Sequence, residues 1–352
     1  MDKKKILSWL SERVPIDPES LRHFGSEPVP NHLKHWWWAL GGTPAYFFFV
    51  QVVTGILLSF YYTPHTDTAY ESVKNITENV PYGWYIRSVH MWSSNFMIVT
   101  VILHMMRVFF TGSYRKPREI NWMIGVGLLI TTFIFGFTGY SLVFEQLSYW
   151  GLTVAANITE ATPFIGQMMA DFIRAGSTIT EKTISRIFIL HIGVLPTLMI
   201  MLIIAHLGLI RLLGVTEFTF TPEEKKLTFP FFPNHILSEM AIGTTLMFIV
   251  TILAIIFPAE LHDKANPLVT PPHIKPEWYF YFTFRWLKLT SLTFAVLSMG
   301  FFVFILFLWP FIDAWLRRKK PNSEISMAIG VVTVIILITL TLWELFVLHY
   351  SH

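Results

Sequence analysis

Four histidines, His90, His104, His191 and His206, fall inside long apolar stretches of a chain that has thirteen in all. Their spacing points to one kind of chemistry. His90 and His104 are 14 residues apart, which at about 100° and 1.5 Å per residue puts them on one helix face roughly 21 Å from each other. His191 and His206 are 15 apart, about 60° round and roughly 22 Å along. If the two helices run in the same direction, His90 lies level with His191 and His104 level with His206. Two imidazoles opposed across a bundle, with no thiolate or carboxylate at their depth, are the donor set for axial ligation of a b-type haem. A lone intramembrane histidine more often makes an interhelical hydrogen bond or relays a proton, but four in register favour two stacked haems. Zinc needs three or four ligands in one small sphere, which pairs so far apart do not supply.

Glycine spacing supports the same reading. Gly41 and Gly55 are 14 apart, as are Gly125 and Gly139, and a flat ring between helices needs neighbours without side chains where it approaches the backbone. Membrane helices are also rich in glycine for close packing alone; the matched interval on two helices favours ring clearance. Arg87 precedes His90 by three residues and Arg107 follows His104 by three. Each suits a haem propionate, although snorkelling to the interface is an equally ordinary use of such arginines.

The elements that must position these residues follow from composition. Of 352 residues 53% are hydrophobic and 14% charged, which is a membrane composition. The apolar blocks are continuous rather than alternating, so the fold class expected is an all-α polytopic membrane protein and not a barrel. Seven spans are expected: Trp36–Tyr62, Trp84–Thr111, Trp122–Val143, Ile187–Leu213, Leu237–Phe257, Leu292–Ile312 and Ser326–Leu348. The first four form a dihaem bundle (1–213), followed by a polar, proline-bearing linker (214–236) and a three-helix part (237–352). With the N-terminus in the cytoplasm, most of the 26 basic residues fall on that side, with clusters at Arg115, Lys116, Arg118 and at Arg317–Lys320. This implies a cytoplasmic-membrane protein with its C-terminus outside. Two long outer loops, Phe144–Arg186 and Pro258–Ser291, are expected to pack as surface helices.

Other classes are excluded by counts. There is no cysteine, hence no disulfide, thiolate-held iron–sulfur cluster, zinc–thiolate site or thioether-linked haem. A net charge of +3 gives no ground for a nucleic-acid partner. The start, Met1-Asp2-Lys3-Lys4-Lys5, does not read as a cleaved signal peptide.

The blocks Leu40-Gly41-Gly42, Val50-Gln51-Val52-Val53-Thr54-Gly55, Arg87-Ser88-Val89-His90, Lys116-Pro117-Arg118-Glu119, Gly136-Phe137-Thr138-Gly139-Tyr140-Ser141 and Pro276-Glu277-Trp278-Tyr279 resemble cytochrome b, the quinone-handling subunit of cytochrome bc and bf complexes. The likeness runs from about Val29 to the end of the seventh span. It implies a low-potential haem on His90 and His191 at the outer face, and a high-potential haem on His104 and His206 at the inner face. It also implies a Q-cycle, in which quinol oxidised outside sends one electron to a Rieske iron–sulfur protein and the other through both haems to quinone inside. A c-type cytochrome, membrane lipid and a homodimeric quinol:cytochrome c oxidoreductase complex of the respiratory chain belong to the same implication. The 15-residue interval, the ending at seven spans and His206-Leu207-Gly208-Leu209-Ile210-Arg211 are similar to the split photosynthetic form, here fused in one chain. That form holds a third haem covalently through a cysteine; Phe47 stands at the matching place, which excludes attachment and argues against a non-covalent third haem.

The resemblance also assigns quinone chemistry. Glu277, beside an apolar pocket, is expected to accept a quinol proton, with Pro276 stiffening the turn and Tyr279 hydrogen-bonding nearby; Glu260 and Asp263 are possible substitutes. At the inner face Arg211 and Glu239 match the family's cationic quinone contact and acidic proton donor. Gly151 matches a pocket glycine. Where relatives continue Gly-Tyr-x-Leu-Pro-Trp, this chain has Val143-Phe144-Glu145, so the outer pocket departs from the pattern. Two other functions fit parts of the sequence: a dihaem anchor of a quinone-linked dehydrogenase, which has no need of the Pro-Glu-Trp-Tyr loop, and a transporter with intramembrane histidines.

Overall fold

The computed structural model describes residues 40–216, 227–272, 274–321 and 323–347, together with 9, 12, 13, 25, 26 and 28–30. The expected first-span start at Trp36, the last residue Leu348, and Lys3, Lys4, Lys5, Arg22, Lys34, Lys225 and Lys226 lie outside the described residues.

Long apolar runs form long helices: α1 (Thr43–Ser59), α3 (Gly83–Phe110), α4 (Glu119–Leu142), α7 (Glu181–Leu213), α8 (Ile236–Ile256), α10 (Leu292–Lys319) and α11 (Ile325–Val347). Six are long and apolar enough to cross a bilayer, counting the turn before α8 with that helix. The seventh, α1, has 17 residues, or about 26 Å against a hydrocarbon core of about 30 Å. Between them lie shorter helices: α2 (Ala69–Glu78), α5 (Gln146–Glu160), α6 (Gly166–Arg174) and α9 (Tyr281–Leu289). The architecture is the all-α, multi-span one expected. α2 escaped the search for spans because it is short and amphipathic, burying Ala69, Val73 and Ile76 at a helical interval. Of the two long loops, Phe144–Arg186 does form surface helices, whereas residues 258–277 run without helix to a 3₁₀ turn, Trp278–Phe280, and α9.

α1 packs along α3 and α4 along α7, with α8 against the outside of α3. Phe47, Val89, Met97, Met199, Val250 and Ala254 form the buried centre. A second apolar cluster, including Leu142, Leu152 and Ile187, lies at one end of the bundle under α5, and a third, of Tyr114, Trp122, Val126 and Trp309, at the other. A short antiparallel pairing of β1 (Pro28–Pro30) with β2 (Thr228–Pro230), Val29 opposite Phe229, ties the N-terminal segment to the stretch before α8.

Two helices are longer than expected. α7 begins at Glu181 rather than Ile187, because Thr180 and Thr183 form a reciprocal capping box and Glu181 puts an acid in the first turn. Its residues Leu190–Val194 form a π turn. Such a turn takes up one extra residue, so the 15-residue interval from His191 to His206 acts as 14, and the expected 60° offset is absorbed. α10 continues past Ile312 because Asp313, 1% exposed, finds partners there: Arg115 Nε at 2.9 Å, Arg317 Nε at 3.2 Å and the Ser326 hydroxyl. The cluster joins the loop after α3 to α10 and α11. Asp313→Ala leaves the buried Ser326 hydroxyl without its acceptor and is expected to cost about 2 kcal/mol, read as a lower unfolding midpoint of the purified protein; an unchanged midpoint would contradict it.

Candidate functional site

The four histidines form two level pairs. The ring centroids of His90 and His191 are 6.5 Å apart with their planes at 67°, and those of His104 and His206 are 6.4 Å apart at 78°. Two axial imidazoles on one iron, each with a metal–nitrogen bond of about 2 Å, place their centroids roughly 6.4 Å apart. The residues present therefore fit a bis-imidazole haem at each level. Among the described residues no group of three or more His, Cys, Asp or Glu is placed to hold a metal ion of another kind.

The nearest atoms to the four spaced glycines belong to these imidazoles. A Cβ on Gly55 would lie 3.4 Å from His90 Cε1 and on Gly139 2.9 Å from His191 Cε1; on Gly41 it would lie 3.7 Å from His104 Cε1 and on Gly125 3.6 Å from His206 Cε1. Each histidine thus rests edge-on against one glycine of a neighbouring segment: Gly55 on α1 and Gly41, two residues before α1, serve α3, and α4 serves α7. The close approach is tightest at Gly139, where any side chain displaces the ring.

Threonines that sequence reasoning missed orient the first pair. Thr54 Oγ1 donates to the Val50 carbonyl (2.7 Å) and lies 2.8 Å from His90 Nδ1. Thr138 Oγ1 donates to the Ile134 carbonyl (2.8 Å) and lies 2.9 Å from His191 Nδ1. A hydroxyl has one proton to give, so each threonine accepts from Nδ1–H and leaves the Nε2 lone pair free to bind metal. The signal was a repeated dipeptide, Thr54-Gly55 and Thr138-Gly139. Gln51 adds a clamp on α3, donating to the His90 carbonyl and to Ser93 Oγ, both at 2.7 Å.

The second pair is held differently. Arg107 Nη2 is 2.9 Å from His104 Nδ1, and His206 Nδ1 is buried without a partner. A cavity between the helices is lined by Gly41, His104, Arg107, Asn121, Gly125 and His206. Glu239 turns its carboxylate onto the backbone of Gly42 and lies 3.8 Å from His235 Nε2, within the electrostatic field of Arg107. Arg211 stands exposed on the last turn of α7.

The Pro276-Glu277-Trp278-Tyr279 segment is brought to the His90 and His191 end. Tyr279, buried, sets its hydroxyl against Gly136, one helical turn from Gly139, and Trp278 Nε1 donates to Asn95 Oδ1 on α3 at 2.5 Å. Burial pushes the Glu277 carboxyl above its ordinary range, and the nearby charge of Glu145 pushes it further. Burial likewise raises the Tyr279 phenol well above 10. Arg87 donates to the Thr77 hydroxyl (3.3 Å) and to the carbonyls of Ala259 (2.8 Å) and Glu260 (2.5 Å), while Ser88 Oγ accepts from the Ala259 N–H at 3.0 Å. The arginine is therefore a loop anchor as well as a cation near His90. Gly151 is in contact with the Tyr140 ring, and Phe47, fully buried, packs on Phe96 at 5.6 Å and fills its place on α1. The departure Val143-Phe144-Glu145 makes a joint: Glu145 pairs with Lys264 in a β-bridge, and Gln146 bonds to Asp263, Asn266 and Val269.

Comparison with known proteins shows the family. Residues 24–214 match the family model described as Cytochrome b/b6/petB, and residues 264–347 match Cytochrome b(C-terminal)/b6/petD. The chain is 34% identical over 343 residues to the cytochrome bc complex cytochrome b subunit of Chlorobaculum thiosulfatiphilum, covering 95% of this chain and 79% of that protein. It is 40% identical over 211 residues to cytochrome b6 of Heliobacterium mobile, covering 60% of this chain and 99% of that protein. Among solved structures it resembles a chain of a hyperthermophilic respiratory Complex III, with a TM-score of 0.77 at 22% identity over 96% of this chain and 97% of that one. The fold and the level histidine pairs define a helical membrane bundle with two opposed imidazole pairs. The chain belongs to the cytochrome b/b6 family, with the N-terminal and C-terminal parts of that family in one polypeptide.

Gly139→Val forces a side chain into His191 and is expected to remove roughly half of the b-type haem per chain, while Gly125→Ala keeps both haems. Haem absorbance per mole of purified protein reads the difference, and equal haem in the two variants would contradict the glycine contacts.

Proposed function

We propose that this chain is the electron-transfer subunit of a quinol-oxidising Rieske–cytochrome b complex, with two non-covalent b haems, one on His90 and His191 and one on His104 and His206. The observation that carries the reading is the pair of imidazole levels with the Pro276-Glu277-Trp278-Tyr279 segment one turn from the first of them. A bound haem supplies one-electron transfer at each level. The protein's part is to fix the imidazoles and handle protons. Thr54 and Thr138 hold Nδ1–H so that Nε2 of each ring would be free to bind a metal; Arg107, and Arg87 beside its loop contacts, would offer positive charge to the carboxylates of a haem. Gly41, Gly55, Gly125 and Gly139 let the ligating helices close on the rings.

Quinol binds at the His90 and His191 end, where Glu277 takes a hydroxyl proton. Tyr279, kept neutral by burial, donates a hydrogen bond, and Pro276 and the Trp278–Asn95 contact hold the segment. At the other end, Glu239 delivers a proton to quinone and Arg211 meets its developing negative charge. The His90 end faces outside and the N-terminus lies in the cytoplasm, as the distribution of basic residues supports. The chain divides at 214–236 into a dihaem part and a C-terminal part; the separate family matches and the cytochrome b6 relative support that division. The partners are a Rieske protein, a c-type cytochrome, lipid and a second copy of the complex, a set in keeping with relatives described as subunits of cytochrome bc complexes.

The test is an optical and kinetic one on the purified complex: two b-type haems, and their reduction by quinol on addition of oxidant, are expected. Absence of either haem ends the reading, and reduction that needs no Rieske protein reduces it to a simple dihaem anchor. Glu277 accepts a proton only when ionised, and its pKa is raised, so quinol oxidation is expected to fall as pH drops through that raised value. Glu277→Gln is expected to slow it about 100-fold and to abolish that acid limb; a wild-type rate and pH profile would exclude Glu277 as the acceptor.

A further inference from the structure

Glu145, which follows directly on Val143-Phe144 where the family has Pro-Trp, is 6% exposed. A carboxylate in such a place needs partners, and it has them on every side. Its Oε2 accepts the backbone N–H of His262 at 2.9 Å and lies 3.3 Å from His262 Nδ1. The other ring nitrogen of His262, Nε2, lies 3.5 Å from Glu260 Oε2. The side chain of His262 is 53% exposed and that of Glu260 81% exposed. One imidazole therefore bridges a buried carboxylate and a surface carboxylate, using both nitrogens. The charged and titratable groups that interact with Glu145 are Arg87 from α3, Tyr140 from α4, and His262 and Glu277 from the loop after α8.

We infer that Glu145 and His262 form the exit route for the proton that Glu277 takes from quinol. The inference rests on the proposed quinol oxidation at this end of the bundle. The O–H bond of the quinol breaks as the proton moves to the Glu277 carboxylate. Rotation of Glu277 toward Glu145 passes the proton to the second carboxylate. Glu145 gives it to His262 Nδ1, and the imidazolium releases a different proton from Nε2 to Glu260 or bulk water. No electron accompanies these transfers, and each group returns to its starting charge once His262 exchanges its ring proton. An imidazole is suited to the last step because it takes a proton at one nitrogen and releases one at the other near neutral pH. Glu145 and His262 are relay residues here and need not touch quinol.

Two substitutions separate this role from a structural one. His262→Asn leaves the backbone N–H that bonds Glu145, and Glu145→Gln keeps an oxygen to accept it. In the purified complex, His262→Asn is expected to slow quinol oxidation about tenfold at neutral pH, with unchanged haem spectra, and added imidazole is expected to restore the rate. Glu145→Gln is expected to slow it similarly and to move the acid limb to lower pH, because the negative charge that raises Glu277 is gone. A slow His262→Asn that imidazole does not rescue, or wild-type rates and pH profiles in both variants beside an impaired Glu277→Gln, would overturn the relay while leaving Glu277 as acceptor. A normal Glu277→Gln overturns the reading of the site on which the relay stands.

Discussion

A neutral imidazole inside an apolar helical bundle needs a partner for each ring nitrogen, and much of this structure answers that demand. At the His90 and His191 level the Nδ1 protons go to Thr54 and Thr138, whose own protons are committed one turn back along their helices. Nε2 is left without a proton on each ring, and the two ring centroids lie 6.5 Å apart. The hydroxyl partners sit one residue before the glycines that let each ring lie against a neighbouring helix. Tautomer, orientation and approach are thus set by two Thr-Gly dipeptides on α1 and α4, not by the helices that carry the histidines.

The two levels are not copies. At the His104 and His206 level Arg107 lies 2.9 Å from Nδ1 of one ring, while Nδ1 of the other makes no hydrogen bond of ordinary geometry, with the Asn121 backbone beside that ring, and Glu239 and His235 bring titratable groups close by. This end brings Arg107, His235 and Glu239 together beside its imidazoles. The difference matches the chemistry proposed for each. Oxidation of quinol next to the first level calls for a rigid site with a buried proton acceptor, and reduction of quinone at the second calls for charge and proton supply.

The loops at the first level are joined to each other as firmly as to the helices. Arg87 and Ser88, adjacent on α3, take hold of Ala259 and Glu260, while Glu145 and Gln146 pair with the stretch from His262 to Val269. The stretch from Ala259 to Val269, which has no helix, is thereby kept in one place over the bundle. The same bonds bring Glu145 into the field of Glu277, so a structural joint also changes the proton chemistry beside it.

Composition and periodicity were enough to read a multi-span helical protein, the four histidines in two levels and the matched glycines, because membrane burial and helical spacing are local properties written in residue type and interval; the standing of Pro276-Glu277-Trp278-Tyr279 came only through the resemblance to cytochrome b. The 15-residue interval on α7 was legible as an offset but not as its remedy, since a π turn depends on how the helix packs against α4. The short amphipathic α2 and the early start of α7 were missed because capping and modest amphipathicity lie below a search for long apolar runs. What tertiary structure alone decided is which groups meet: Thr54 with His90, Tyr279 with Gly136, Arg87 with the carbonyls of Ala259 and Glu260, and Glu145 with His262, 117 residues away. Such pairings are set by the way helices dock and loops fold back over them, and no interval along the chain encodes a contact between side chains whose separation is fixed by packing.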